Sequence, residues 1–149
     1  MDEGPDKREV MEGVSVVVPC LDEESSIAAV VAAAEKGIAR LGMQGEVIVV
    51  DNGCRDNSPA LAREAGARVI EEPVRGYGAA LRRGFDNARY SVLVMGDGDL
   101  SYDFEKLDQL VLPILDGKAD LVVGNRMNNI RPGSMPWLHR YIGNPILSA

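Results

Sequence analysis

The chain has 149 residues, 46% apolar and 26% charged, a size and balance that suit one globular domain. Sixteen Lys and Arg against 23 Asp and Glu leave a formal charge of -7, which excludes a protein that wraps nucleic acid by neutralising its phosphates. No apolar run reaches the roughly 18 to 20 residues that cross a bilayer, and the acidic opening Met1 to Glu12 lacks the parts of a signal peptide, so the expectation is a soluble, intracellular chain.

Residues 1–13 read as a polar, disordered head. Val14 to Pro19 (VSVVVP) is a β-branched run closed by proline, the mark of a strand buried on both faces. After Asp22, the residues Ile27, Val30, Val31, Ala34, Ile38 and Leu41 recur at three- and four-residue intervals and predict an amphipathic helix stopped by Gly42. Glu46 to Val50 (EVIVV) is a second strand ending at Asp51. Ser58 then offers an N-cap, with Pro59 at the first helical position, for a helix that Gly66 stops. Arg68 to Ile70 is a third strand, Gly78 to Ala88 a third helix and Ser91 to Met95 a fourth strand. A fourth helix starts at Asp103 and runs to Leu112 or Leu115, its end blurred by Pro113, and Ala119 to Val123 supplies a fifth strand. From Arg131 a new apolar pattern (Met135, Trp137, Leu138, Ile142, Ile146, Leu147) begins without a closing element, so the chain reads as cut short at its C-terminus.

Strands alternating with helices predict an α/β fold, an open, mostly parallel sheet with helices on both faces. Ligands of such sheets gather at the carboxyl ends of the strands, and there this chain is acidic: Asp22 and Glu23, then Asp51 and Asp56, then Asp97 and Asp99. Clustered carboxylates need a cation or hydrogen-bond donors to offset them. Asp97 and Asp99, separated by one glycine, suit a hard divalent metal, although Asp-Gly-Asp is also an ordinary turn. Arg75 to Leu81 (RGYGAAL) is a glycine loop opening a helix, where Gly76 and Gly78 let backbone N–H groups approach a diphosphate. It is not the dinucleotide fingerprint, and no P-loop occurs, so dehydrogenase and ATPase readings fall behind. Arg126 and Arg140 are forks suited to phosphate, or else surface cations paired with carboxylates. His139 is too isolated for a triad or zinc site. Cys20 and Cys54 read as free thiols with nothing nearby to activate a thiolate.

Four motifs in order make the chain resemble glycosyltransferase family 2, with a GT-A (Rossmann-like) fold, over residues 14–149. Val16 to Glu23 (VVVPCLDE) is similar to the family's first-strand motif, Val50 to Ser58 (VDNGCRDNS) to its DDGSxD motif, Gly76 to Arg82 (GYGAALR) to its glycine loop and Asp97-Gly98-Asp99 to its DxD motif. Asp22, Asn52, Cys54 and Asn57 depart from the usual Asn, Asp, Ser and Gly. Residues 124–145 are similar to the branch that glycosylates polyprenyl phosphates, including relatives of dolichyl-phosphate mannose synthase.

The resemblance implies that Pro19, Leu21, Glu23 and Asp51 frame the nucleotide base and ribose, that Asp97 faces ribose and diphosphate, that Asp99 with Asp97 holds Mg2+ or Mn2+, and that Arg126 and Arg140 clamp the acceptor phosphate. The implied activity is inverting transfer of a hexose from a nucleotide diphosphate sugar to a dolichyl or undecaprenyl phosphate. It implies a catalytic domain at the cytoplasmic membrane face, tethered there by segments beyond the present C-terminus. Alternatives are a transferase acting on a polysaccharide or other hydroxyl, a non-catalytic nucleotide-sugar binding domain and, further back, a phosphate-accepting signalling domain.

Overall fold

The computed structural model describes residues 10–124. The elements run β1 (Met11–Cys20), α1 (Ile27–Leu41), β2 (Gly45–Asp51), α2 (Ser58–Glu64), β3 (Arg68–Glu71), α3 (Tyr77–Asp86), β4 (Tyr90–Met95), a 3-10 turn (Phe104–Lys106) and α4 (Leu107–Leu115). The four strands form one sheet in the order β3-β2-β1-β4, parallel at every pairing. Strand β1 starts at Met11, so Met11 to Gly13 belong to the sheet rather than to a disordered head.

The sequence of β1 explains its central place. Val14, Val16, Val17 and Val18 are fully buried, because alternate side chains enter two different cores. On one face, Val14, Val16 and Val18 pack with α1, α2, α4 and the 3-10 turn through Ile27, Val31, Ala62, Phe104 and Val111. On the other, Val17 packs with Ile48, Val50 and Ala80 of α3. The buried Ser15 is satisfied: its hydroxyl donates to Glu46 Oε1 at 2.9 Å and accepts from the Tyr90 N–H at 3.2 Å. Glu46 also pairs with Arg68 at 2.9 Å, so one carboxylate ties together the amino ends of all four strands.

Two further expectations are corrected. Ala119 to Val123 forms no strand; Leu121 and Val123 are each 79% exposed, and among the described residues no neighbouring strand covers them. The N-cap of α2 is Asn57, and Ser58 is the first helical residue, its hydroxyl taken up by the loop before it. The fourth helix runs as expected to Leu115, with Pro113 inside it, its first turn being the 3-10 turn after Asp103 and Gly117 closing it in a left-handed conformation. Arg126, Trp137, His139 and Arg140 lie outside the described residues.

Helix α3 sits close to the sheet because Gly84 has no side chain. A Cβ there would collide with Val17 Cγ1 and crowd Val50 Cγ2 at 3.2 Å. Gly84→Ala should therefore destabilise the fold by about 1–3 kcal/mol despite the better helix propensity of alanine, read as a lower urea midpoint with an unchanged slope.

Candidate active site

Between β1 and β4 the chain changes direction: α1 leads away on one side and α3 returns on the other. This topological switch opens a cleft of about 260 Å³ at the carboxyl ends of the strands. The end of β1 contributes Pro19, Cys20, Leu21 and Glu23. The start of α3 contributes Arg75, Gly76, Tyr77 and Ala80, Asn52 comes from the end of β2, and Asp97, Gly98 and Asp99 follow β4.

Sequence motifs far apart are joined here by specific hydrogen bonds. Ser26, at the N-cap of α1, makes no cap of its own; its hydroxyl donates to the Gly98 carbonyl at 2.5 Å and so fixes the Asp97–Asp99 turn against α1. Gly98 fits because even a methyl there would press Ile27 Cδ1 at 3.3 Å. Asp99 Oδ1 accepts the Ser101 N–H at 2.9 Å in an Asx turn across Leu100, whose φ is 64°. Tyr77 donates its hydroxyl to Asp97 Oδ1 at 2.9 Å, linking the glycine loop to the acidic turn.

The expected carboxylates separate into two groups. Glu23, Asp97 and Asp99 line the cleft. Burial first, then the charge of Asp99, and more weakly that of Asp97, push the Glu23 carboxyl above its ordinary range, while its bond with Ser26 pulls the other way. Asp22 and Asp56 instead stitch the first two loops. Asp22, in the left-handed region at φ 56°, accepts the Arg55 N–H at 2.6 Å. Asp56 accepts the Glu24 and Ser58 N–H groups at 3.1 and 3.0 Å and the Ser58 hydroxyl, and these bonds hold its carboxyl below the usual carboxylate range. Ser58 Oγ in turn accepts the Glu23 N–H at 2.8 Å. Asp22, Cys54 and Asp56 bring one ligand atom each within 4.8 Å of one another, but the hydrogen bonds above already account for this cluster as loop structure.

Two residues implied by resemblance lie elsewhere. Asp51 does not line the cleft; its Oδ1 accepts the Gly53 and Cys54 N–H groups at 3.1 and 2.8 Å and shapes the β2–α2 loop. Gly78 lines an adjoining, more open depression with Val74, Arg82 and Asp86.

The residue that sequence reasoning missed is Asn52. It is buried, its amide donates to the Glu72 and Val74 carbonyls at 2.9 and 2.8 Å, and its oxygen accepts the Gly76 N–H at 2.9 Å. One amide thus sets the path of the chain into the glycine loop. The signal was its chemistry: at the end of a strand, only a carboxamide both donates twice and accepts.

An open parallel sheet with an acidic cleft at its switch point and a glycine turn opposite defines the GT-A class. Solved structures of that class superpose on the chain. Glucosyl-3-phosphoglycerate synthase from Mycobacterium tuberculosis, solved with Mn2+, UDP-glucose and phosphoglyceric acid, matches with a TM-score of 0.60 and 31% identity over 72% of this chain and 40% of that one. The family model for glycosyl transferase family 2 matches residues 15–146, and the chain belongs to that family. Among curated relatives, the low-salt glycan biosynthesis hexosyltransferase Agl6 of Haloferax volcanii is 41% identical over 91% of the chain. An undecaprenyl-phosphate 4-deoxy-4-formamido-L-arabinose transferase of Aeromonas hydrophila is 33% identical over 78%. The chain spans 33% and 37% of the lengths of these two relatives.

Asn52→Asp keeps the size but removes both N–H donors and sets a carboxylate against two carbonyls. It should cost roughly 2 kcal/mol or more of unfolding free energy, with hydrogen exchange rising first at the Gly76 amide. Wild-type stability with unchanged exchange at Gly76 would remove Asn52 as the anchor of the glycine loop.

Proposed function

We propose that the chain is the donor-binding part of an inverting glycosyltransferase that moves a hexose from a nucleotide diphosphate sugar to a polyprenyl phosphate. One observation carries the reading: Glu23, Asp97 and Asp99 reach a single cleft from two strand ends, close enough for Asp99 and Asp97 to oppose the ionisation of Glu23. A hard divalent cation fits an all-oxygen set of this kind. Related proteins from Mycobacterium tuberculosis have been solved with Mn2+ and UDP-glucose and with Mg2+ and UDP. Asp97 and Asp99 would hold Mg2+ or Mn2+ here, which when bound offsets the charge developing on the departing nucleotide diphosphate.

The protein's own residues do the remainder. Pro19, Leu21 and Glu23 frame the base and ribose, with Asp51 shaping the loop beside them, and Gly76 admits the diphosphate to the start of α3, Gly78 opening the depression that adjoins it. Arg126 and Arg140 grip the acceptor phosphate. An acceptor phosphate oxygen forms a bond to the anomeric carbon on the face opposite the diphosphate as the sugar–diphosphate bond breaks, so the configuration inverts. That oxygen is already ionised near neutral pH, and no general base is required. The undecaprenyl-phosphate transferase among the relatives supports a lipid phosphate, which would set the working enzyme at the cytoplasmic membrane face. No helix among the described residues is long and apolar enough to cross a membrane. The phosphoglycerate enzymes support a second reading, a small phosphorylated acid as acceptor.

Calorimetric titration of UDP-glucose and GDP-mannose with Mn2+ should give binding of one nucleotide, and Asp99→Asn should weaken it by about tenfold or more, roughly 1.4 kcal/mol. Equal binding in chelator would remove the cation from the reading. The raised pKa fixes a sign as well. Because folded Glu23 holds its proton more tightly than the unfolded chain does, it opposes folding once ionised, and the opposition fades as pH falls through its titration. A cation relieves the repulsion, so Mn2+ binding should release protons at a pH within the Glu23 titration, read from heats in buffers of different ionisation enthalpy.

In the same reading, Arg140→Ala should raise KM for a polyprenyl phosphate about tenfold while leaving sugar-nucleotide binding unchanged. Loss of nucleotide binding instead would place Arg140 at the donor, and activity confined to phosphoglycerate would favour the small acceptor.

A further inference from the structure

The sugar-transfer reading makes no use of the two cysteines, yet the fold brings them together. Cys20 ends β1, where its Cα partner across the ladder is Asp51. The Asx turn that Asp51 makes with the Gly53 and Cys54 N–H groups folds the chain back, so that Cys54, 34 positions after Cys20, comes to lie over the end of β1. The two Sγ atoms are 3.7 Å apart, and the Cys54 thiol also lies 3.4 Å from the Cys20 carbonyl. Both are free thiols, Cys20 buried at 1% exposure and Cys54 partly exposed.

We propose that Cys20 and Cys54 form a redox modification site, in which a small disulfide oxidant such as oxidised glutathione converts the thiol pair into an intrachain disulfide that joins the β1–α1 and β2–α2 loops. The contact distance must close to about 2.05 Å, and the hydrogen bonds of the two sulfurs that this gives up are weak. The exposures assign the order of events. The accessible Cys54 sulfur, losing its proton to solvent, attacks one sulfur of glutathione disulfide, forming a mixed disulfide and releasing one glutathione. The buried Cys20 sulfur, also losing its proton, then attacks the Cys54 sulfur and releases the second glutathione. Two cysteines are oxidised and one glutathione disulfide is reduced to two thiols. Burial pushes the Cys20 thiol up and the Cys54 thiol up to about 12, so the exchange is slow at neutral pH and quickens as pH rises. Because Cys20 lines the cleft, the new bond also fixes part of its wall.

The site is independent of the sugar-transfer reading, and its test needs no substrate. The folded 149-residue protein is incubated with oxidised glutathione at pH 8.5, with circular dichroism to confirm that it stays folded, and analysed by intact mass and non-reducing peptide mapping. The expected product is a monomer lighter by two hydrogens, with one cross-linked peptide pair carrying Cys20 and Cys54. Its melting temperature should be higher than that of the reduced protein and return to it with dithiothreitol, since the bond closes a long loop. Cys20→Ser should stop at a stable glutathione adduct on Cys54, and Cys54→Ser should form neither adduct nor internal bond. Wild-type protein that keeps both thiols, ends as a glutathione adduct or links only between molecules would overturn the proposal.

Discussion

Burial of β1 on both faces is the constraint from which the rest of the molecule follows. A strand whose valines enter two cores has to lie between neighbours and beneath a layer on each side, and the helical connections that cover both faces here are the long crossovers that parallel pairing needs. Parallel pairing then sends every strand's carboxyl end to the same edge. The opposite edge is closed by Ser15, Glu46 and Arg68, which anchor the strands without contributing to the cleft. Since β1 pairs with both β2 and β4, the two chain reversals beside it point apart, and the gap between them is the cleft.

Gathering carboxylates at one edge creates repulsion, and the chain deals with it in two ways. Asp22, Asp51 and Asp56 are surrounded by backbone N–H groups of the first two loops, so their charge is spent on local geometry and Asp56 is held ionised. Glu23 and the Asp97–Asp99 turn face each other across the cleft, and there burial first and then the charges of Asp99 and Asp97 raise the Glu23 carboxyl. Carboxylates thus have different tasks: those of the first two loops shape the chain, and those of the cleft face one another. If the cation and diphosphate of the proposed function meet there, the repulsion is greatest in the empty cleft and binding relieves it.

Much of this was legible in the sequence because periodicity reports burial directly. The β-branched runs of β1, β2 and β4 and the three- and four-residue spacing of α1 reflect faces that must be covered, and those elements lie within a few residues of expectation. Ala119 to Val123 failed for the complementary reason: an apolar run states a demand for a partner but not whether one is met, and among the described residues none covers Leu121 or Val123. Ser58 shows a second limit. Its position and the proline after it match an N-cap, yet Asp56 and the Glu23 N–H claim its hydroxyl, and the distant partner at Glu23 leaves no local trace.

The pieces of the cleft hardest to read were the ones that position it. Ser26 to Gly98, Tyr77 to Asp97 and Asn52 to Gly76 are each a single hydrogen bond across 72, 20 and 24 positions of sequence. Each joins two motifs that are individually common and weak, and together they hold the β1 end, the glycine turn and the acidic turn around one volume. Hydrogen bonds of this kind contribute only about 1 kcal/mol each to stability, so their larger effect is on geometry. Three loops already locked to one another lose little further freedom when a ligand arrives, and less of the binding free energy is consumed in ordering them. Asn52 has the largest share in this, because it is buried and its amide makes three hydrogen bonds along the β3–α3 connection at once. A carboxylate in its place would add charge to an edge already crowded with it and release the glycine loop, so the departure from an acidic pair at residues 51–52 fits the rest of this chain.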